Sequence, residues 1–237
     1  MIAQAVVNNL DCAYVEKMEI AGPGFINFYL KQDWMYDMLA GIIAEGENYG
    51  NLVSDCKEKI QVEYVSANPT GPLHVGHGRG AAVGSALANL MKAAGMNVSR
   101  EYYINDAGNQ INNLAASVNA RYLEQLGQTV EFPENGYHGH DIIETAERIV
   151  RIYGDRFLNM SEEERLKEFR TIALKEKLAA LKEDLEAFNV TYDEWFSEQT
   201  LHDANAIKNA CDLLTERGYL YEEGGALWLK ATEYGDD

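Results

Sequence analysis

"VEYVSANPTGPLHVGHGRGAAVG", residues 62–84, is the stretch on which the fold turns. It opens in β-branched and aromatic residues, breaks at Pro69, Gly71 and Pro72, and closes in glycines and alanines. With Lys59, Ile60 and Gln61 before it, this reads as a strand, an irregular loop and a helix. The helix is expected from about Gly78 to Ala94. Val83, Leu87, Leu90, Met91 and Ala94 repeat at helical spacing, and Gly95 offers a stop.

Two histidines, His74 and His77, fall where the loop meets the helix. Three readings compete for them: metal ligands, core histidines, or phosphate-handling groups. A helix N-terminus presents unpaired N–H groups and the positive end of the helix dipole, which favour an anion. Gly76, Gly78, Gly80 and Gly84 remove side-chain bulk, so a flat ligand can approach the backbone. Two imidazoles add hydrogen-bond donors for phosphate oxygens. A metal would need further ligands, such as His138 or His140, and neither an H-E-x-x-H nor a nearby cysteine completes a set. Core histidines would explain neither the spacing nor the glycines. Position selects phosphate, and no tightly bound metal is expected.

Working outward, "NVSREYYIN" (97–105) returns to strand character. Asp106 is positioned to cap a helix carrying Ile111, Leu114, Ala115, Val118 and Tyr122 as far as Gly127. Strand, helix, strand, helix with short connections is the pattern of an α/β protein with a Rossmann-like, doubly wound parallel sheet. A polar loop, "GQTVEFPENGYHGH" (127–140), leads to a helix from Asp141 to Tyr153. Ser161 with Glu164 forms a capping box that opens a long helix to about Phe188. These read as helical insertions. "YDEWFSEQ" then leads into a helix ending at Gly218, and the chain closes in a β-hairpin across Gly224-Gly225. Trp195 and Phe196 are expected as packing anchors and Trp228 in the hairpin core.

Upstream, residues 1–31 are set apart by composition and punctuation, with a short helix, Gly22-Pro23-Gly24, then an alternating strand through Phe25, Asn27 and Tyr29. They are expected to be the tail of a small α+β N-terminal domain. Residues 32–56 are expected to form a helical connector, with Met35, Met38, Leu39, Ile42 and Ile43 on one packing face, and 57–237 to form the Rossmann-like domain.

Composition limits the function classes. The 237 residues are 46% hydrophobic, which suits a globular fold. No apolar run reaches the ~20 residues that span a bilayer, and no secretory leader is expected. Cys12, Cys56 and Cys211 are odd in number and far apart, which suits a reducing cytoplasm rather than a disulfide framework. The net charge of −18 counts against nucleic-acid binding taken alone. Much of the excess, however, sits in helical stretches such as "SEEERLKEF" that read as solvated faces, and a local basic groove stays compatible with it.

"HVGH" before a small-residue helix resembles the first signature of class I aminoacyl-tRNA synthetases and related nucleotidyltransferases. The text around it narrows the resemblance. "VEYVSANPTGPLHVGHGRGAAVGSALANLMKAAG", "VSREYYINDAGNQI", "GPGFINFYL", "YHGHDI", "WFSEQTL" and "LTERGYLYEEGGALWLKATEYGDD" are together similar to the arginyl-tRNA synthetase family, over nearly the whole chain.

The resemblance implies an enzyme that condenses arginine with ATP, accompanied by Mg²⁺, and passes the arginyl group to tRNA(Arg). His74 and His77 are then the catalytic pair. Pro72, Leu73, His74, Gly76, His77 and Gly78 face ATP, with adenine stacking over Gly76. Glu63, Ser66, Asn68 and His77 face arginine, whose guanidinium and ammonium suit a carboxylate and an amide. Asn105-Asp106 are further candidates. Tyr137, His138 and His140 belong to a loop that covers the site, touches the tRNA or is plain loop. A monomer in the cytoplasm is expected. No lysine-serine loop of the second class I signature is present. Part of the arginine pocket, a helical anticodon-binding domain and most tRNA contacts are expected beyond Asp237, leaving the isolated chain a weak ATP binder that aminoacylates nothing. The rival readings are a smaller H-x-G-H adenylyltransferase acting on a cofactor precursor, and a non-catalytic interaction module derived from a synthetase.

Overall fold

The computed structural model describes residues 2–53 and 58–236. Cys56, the last residues of the expected connector and both outer limits of the expected catalytic domain (57 and 237) lie outside them. The chain divides into two compact units, Met1–Asp55 with Ala93–Gly95, and Cys56–Lys92 with Met96–Asp237.

In the first unit, helix α1 (Ile2–Asn9) precedes strands β1 (Val15–Ala21) and β2 (Phe25–Leu30), which pair antiparallel. Gly22 and Gly24 turn this hairpin at φ 57° and 140°, values that L side chains avoid. β1 is not evident from the sequence, because its "VEKMEIA" alternates charge with apolar residues too weakly to stand without its partner. Helix α2 (Asp33–Glu45) follows. Its Met35, Met38, Leu39, Ile42 and Ile43 are exposed, contrary to the expected packing face.

The second unit is built on strand β3 (Lys59–Glu63), helix α3 (Val75–Ala93) and strand β4 (Asn97–Ile104). Helices α4 (Asn109–Gln125), α5 (His140–Tyr153) and α6 (Glu162–Ala187) come next, then strand β5 (Glu194–Ser197). The strands form a three-stranded parallel sheet in the order β3-β4-β5. This is the expected α/β arrangement with helical insertions. Helices α7 (Gln199–Asp203) and α8 (Ala206–Glu216) lead to the antiparallel hairpin of β6 (Leu220–Glu223) and β7 (Ala226–Leu229). Gly224 and Gly225 supply its positive φ, as the sequence indicated. Trp228 is half-exposed rather than core, and its indole N–H donates to Glu223 O at 3.2 Å.

Helix α3 starts three residues earlier than expected, and a different face is buried. Ala81, Gly84 and Ala88 pack inward, while Val83, Leu87 and Leu90 are exposed. Close approach is the reason. A Cβ on Gly84 would stand 2.2 Å from Cγ of Tyr64, so only small residues fit this helix against the sheet. Tyr64, Ala81, Tyr102, Ile104, Leu185 and Val190 form the core beneath it. Trp195 stacks on Tyr102 at 4.4 Å between centroids, the anchoring role expected of it. A second core joins α4, α5 and α6 through Leu114, Val118, Tyr122, Ile142 and Phe169. The Ser161–Glu164 capping box is formed as expected.

Asp106 does not cap α4. The N-cap is Gly108, at φ 88° and ψ −169°, with no side-chain cap bond. The Asp106 carboxylate is nearly buried and accepts from Ser197 Oγ (2.6 Å) and Gln199 N–H (2.9 Å). A carboxylate with two donors fixed at the end of β5 gains more there than at an exposed cap.

Register places three carboxylates in a row, Glu63 opposite Glu101 and Glu101 opposite Glu194. Burial and then the charges of Glu194 and Glu63 raise the Glu101 pKa. A raised carboxyl favours the fold below its unfolded pKa, and that contribution is lost as pH rises through the folded value. Glu101→Gln is therefore expected to stabilise the protein at neutral pH by roughly 0.5 kcal/mol. Thermal melts at pH 7 and pH 3.5 check it: the gain should be present at the first and absent at the second.

Candidate active site

The site begins where β3 leaves the sheet. Ser66 N–H donates to Tyr64 O at 3.0 Å around Val65, whose φ is 67°. A three-residue turn at positive φ is costly for a β-branched residue, and such strain gathers at functional sites. The turn throws the following loop across the C-terminal end of β4. There Ser66 Oγ accepts from Tyr103 N–H at 3.0 Å, taking the ladder position β3 has vacated. Ala67 O accepts from the Tyr102 hydroxyl at 3.0 Å, and burial pushes that phenol up to about 12. The amides of Asn68 and Asn105 meet at 3.1 Å. Turned to satisfy Glu198 and Ala107 O, Asn105 presents its oxygen to Asn68.

Leu73 packs on the sheet-side core and delivers the chain to α3. His74 is the N-cap: its C=O accepts the first helical bond, from Gly78 N–H at 3.1 Å. Its Nδ1 accepts from Gly76 N–H at 3.1 Å, and His77 Nδ1 accepts from His74 N–H at 3.2 Å. The two rings stack at 3.7 Å, 20° from parallel. Because both Nδ1 atoms accept backbone N–H groups, the network assigns both neutral rings the Nε2–H tautomer. Both rings therefore keep one N–H donor free of the backbone, beside a helix N-terminus. A Cβ on Gly76 would lie 2.9 Å from the His74 ring, so glycine there is what lets His74 cap the helix. Gly78 and Gly80 have open space where a Cβ would stand.

Burial, and next the neighbouring His74 ring, lower the His77 pKa. The stability tied to a lowered histidine pKa is present above its unfolded value and is lost as pH falls through the folded one. His77 is expected to titrate below a histidine in the denatured chain, by its Cε1–H shift. A midpoint at or above that reference would contradict the placing of the ring, partly desolvated, against His74.

Asn68, Thr70, Gly71, Pro72 and His77 line a cavity of 390 Å³. Of the other expected site residues, Glu63 is exposed on β3 beside Glu101, and Ser66 is committed through Oγ to Tyr103. The opposite wall comes from the loop after α4, with Tyr137, His138 and Gly139, and from Asp141 in the first turn of α5. The sequence marked this loop without fixing its role. What holds it carried no sequence signal at all. Lys177, buried on α6, donates to Asp141 Oδ2 (2.5 Å) and Asp141 O (3.2 Å). Glu176 beside it binds Arg148 and Thr145 of α5.

A larger groove, of 770 Å³, runs along α6 from Asp106 and Gln199. Lys167, Arg170, Lys175 and Lys182 line it, a local basic strip on a chain of net charge −18. Among the described residues no cluster of three or more His, Cys, Asp or Glu side chains is fit to hold a metal, and no helix is long and apolar enough to cross a membrane.

Two family profiles divide the chain. That of tRNA synthetases class I (R), catalytic domain, matches residues 38–237, and that of the arginyl tRNA synthetase N terminal domain matches residues 1–30. The chain belongs to the arginyl-tRNA synthetase family. An arginine–tRNA ligase of Carboxydothermus hydrogenoformans is 57% identical over 95% of this chain, which covers 40% of that protein. One from Listeria welshimeri is 52% identical over the whole chain, covering 43% of the relative. The chain thus spans less than half the length of these arginyl-tRNA synthetases. Among solved structures, a Campylobacter jejuni protein assigned as an arginyl-tRNA synthetase superposes with a TM-score of 0.71 at 32% identity, covering 88% of this chain and 45% of the other. The Thermus thermophilus arginyl-tRNA synthetase gives 0.52 at 25% identity, over 98% and 39%.

Proposed function

We propose that these residues carry the nucleotide-binding part of an arginine-activating site in an arginine–tRNA ligase. The observation that carries this reading is the pair of imidazoles at the start of α3, locked through Nδ1 and free at Nε2.

In the reaction the arginine carboxylate, already ionised, attacks the α-phosphorus of Mg²⁺-bound ATP. A carboxyl–phosphate anhydride forms as the bond to the β-phosphate breaks, and pyrophosphate leaves. No proton has to move, so alignment and charge stabilisation are what the protein supplies. His74 and His77 donate Nε2–H to the phosphoryl oxygens as charge builds. Pro72, Leu73, Gly76 and Gly78 border the nucleotide, and Asn68, Ser66 and Glu63 face arginine together with His77. A terminal ribose hydroxyl of tRNA(Arg) then attacks the arginyl carbonyl and displaces AMP. The basic strip on α6 gives a polyanion one favourable surface on an otherwise acidic chain. Residues 1–31 serve as a tRNA-binding domain segment, 32–56 as connector and 57–237 as the catalytic part, in a monomeric cytoplasmic enzyme.

The experiment is ATP–pyrophosphate exchange with each amino acid, with and without tRNA. It is run on this chain and on a chimera in which the chain replaces the matching part of the Carboxydothermus hydrogenoformans relative. Exchange by the chimera should require arginine. Exchange driven by another amino acid in its place would refute the substrate assignment.

A further inference from the structure

We propose that His138 is a third imidazole of the nucleotide site, donating to the phosphate chain of ATP from the wall opposite His77. The inference rests on the nucleotide reading above and extends it to a residue outside the H-x-G-H stretch. His138 and His77 line the same 390 Å³ cavity, and His138 is exposed to it while packing its ring on Phe132 at 4.5 Å between centroids. Phe132 is itself backed by the Arg121 guanidinium, 4.4 Å from its ring centre. The loop that carries His138 has a fixed shape. Tyr137 N–H donates to Ser117 Oγ at 2.8 Å, and Lys177 grips both the side chain and the carbonyl of Asp141. A Cβ on Gly139 would meet Asp141 Oδ1 at 2.2 Å, so a larger residue there would have to displace the carboxylate that Lys177 holds.

Among the described residues no Lys or Arg lines this cavity, and its carboxylate, Asp141, is already neutralised by Lys177. A polyphosphate entering it therefore meets imidazoles, amides and a helix N-terminus as its donors. One imidazole from each wall, with His74 stacked on His77 at the helix start, suits an extended phosphate chain better than a single anionic group.

The test is calorimetric binding of ATP and of adenosine to the 237-residue chain and two variants. His138→Phe keeps the ring on Phe132 and removes the N–H donors. It should raise the Kd for ATP about tenfold, the loss of one hydrogen bond to a charged group, and leave adenosine unchanged. His138→Gln, which keeps a donor, should recover most of the affinity. Unchanged ATP binding in His138→Phe, or equal weakening of ATP and adenosine, overturns the inference and leaves the nucleotide reading standing. A wild-type chain that takes up no ATP overturns both.

Discussion

Replacing His77 with alanine is expected to lower arginine-dependent exchange in the full-length chimera by about 10²-fold, the loss of one preorganised donor worth on the order of 3 kcal/mol to a developing oxyanion. His77 Nδ1 is held by His74 N–H, so the ring presents Nε2–H without reorganising when charge builds on the phosphate. The Michaelis constant for ATP should move less than the turnover, because the donor matters most in the transition state. His74→Ala should behave differently. His74 is also the N-cap of α3, accepting Gly76 N–H through its ring, so its loss should lower the melting temperature as well as the rate. A His77→Ala chimera that keeps full exchange would remove the phosphate role from this histidine.

Gly84→Val is expected to destabilise the protein by roughly 3 kcal/mol, at the upper end of what overpacking costs. The first added carbon, Cβ, would alone lie 2.2 Å from Tyr64 Cγ, with Tyr64 Cβ and Cδ2 at 2.6 Å. Tyr64 has little room to yield: it is buried, stands 4.7 Å from the Tyr192 ring and accepts the Tyr192 hydroxyl at its carbonyl. The helix must therefore move, and α3 carries both site histidines at its start. Urea unfolding measures the loss. Val at the neighbouring open position, Gly80, should cost little beyond its helix propensity, because nothing lies within 4 Å of that Cβ. Equal costs at the two positions would contradict the close packing of α3 on the sheet.

Local signals survived into the structure where one segment's own chemistry decided the outcome. The Ser161 capping box, the Gly224-Gly225 hairpin, β3 and β4 are of this kind. Where a distant partner decides, the sequence was silent or misleading. β5 is four residues long and is a strand because β4 pairs with it. Asp106 has the spacing of a helix cap, yet it serves Ser197 and Gln199 from another part of the chain. On α3 the eye follows Val83, Leu87 and Leu90, but packing distance selects Ala81, Gly84 and Ala88. The site divides in the same way. The imidazole pair and its helix start were legible in "HVGHGRG", because Nδ1 capping is a matter of a few neighbouring residues. The opposite wall was not, since Lys177 reaches Asp141 from the middle of a long helix whose pattern looks solvated.

ATP binding is expected at the start of α3, across the cavity shared with residues 137–141. It is tested most directly by titrating ATP into the isotopically labelled 237-residue chain and following backbone amide and imidazole resonances. Saturable shifts should concentrate on Asn68, Thr70, Val75 to Gly78 and His138, with the Nε2 signals of His74 and His77 among the largest. Saturable shifts confined to other parts of the chain, or none at millimolar ATP, would contradict the account.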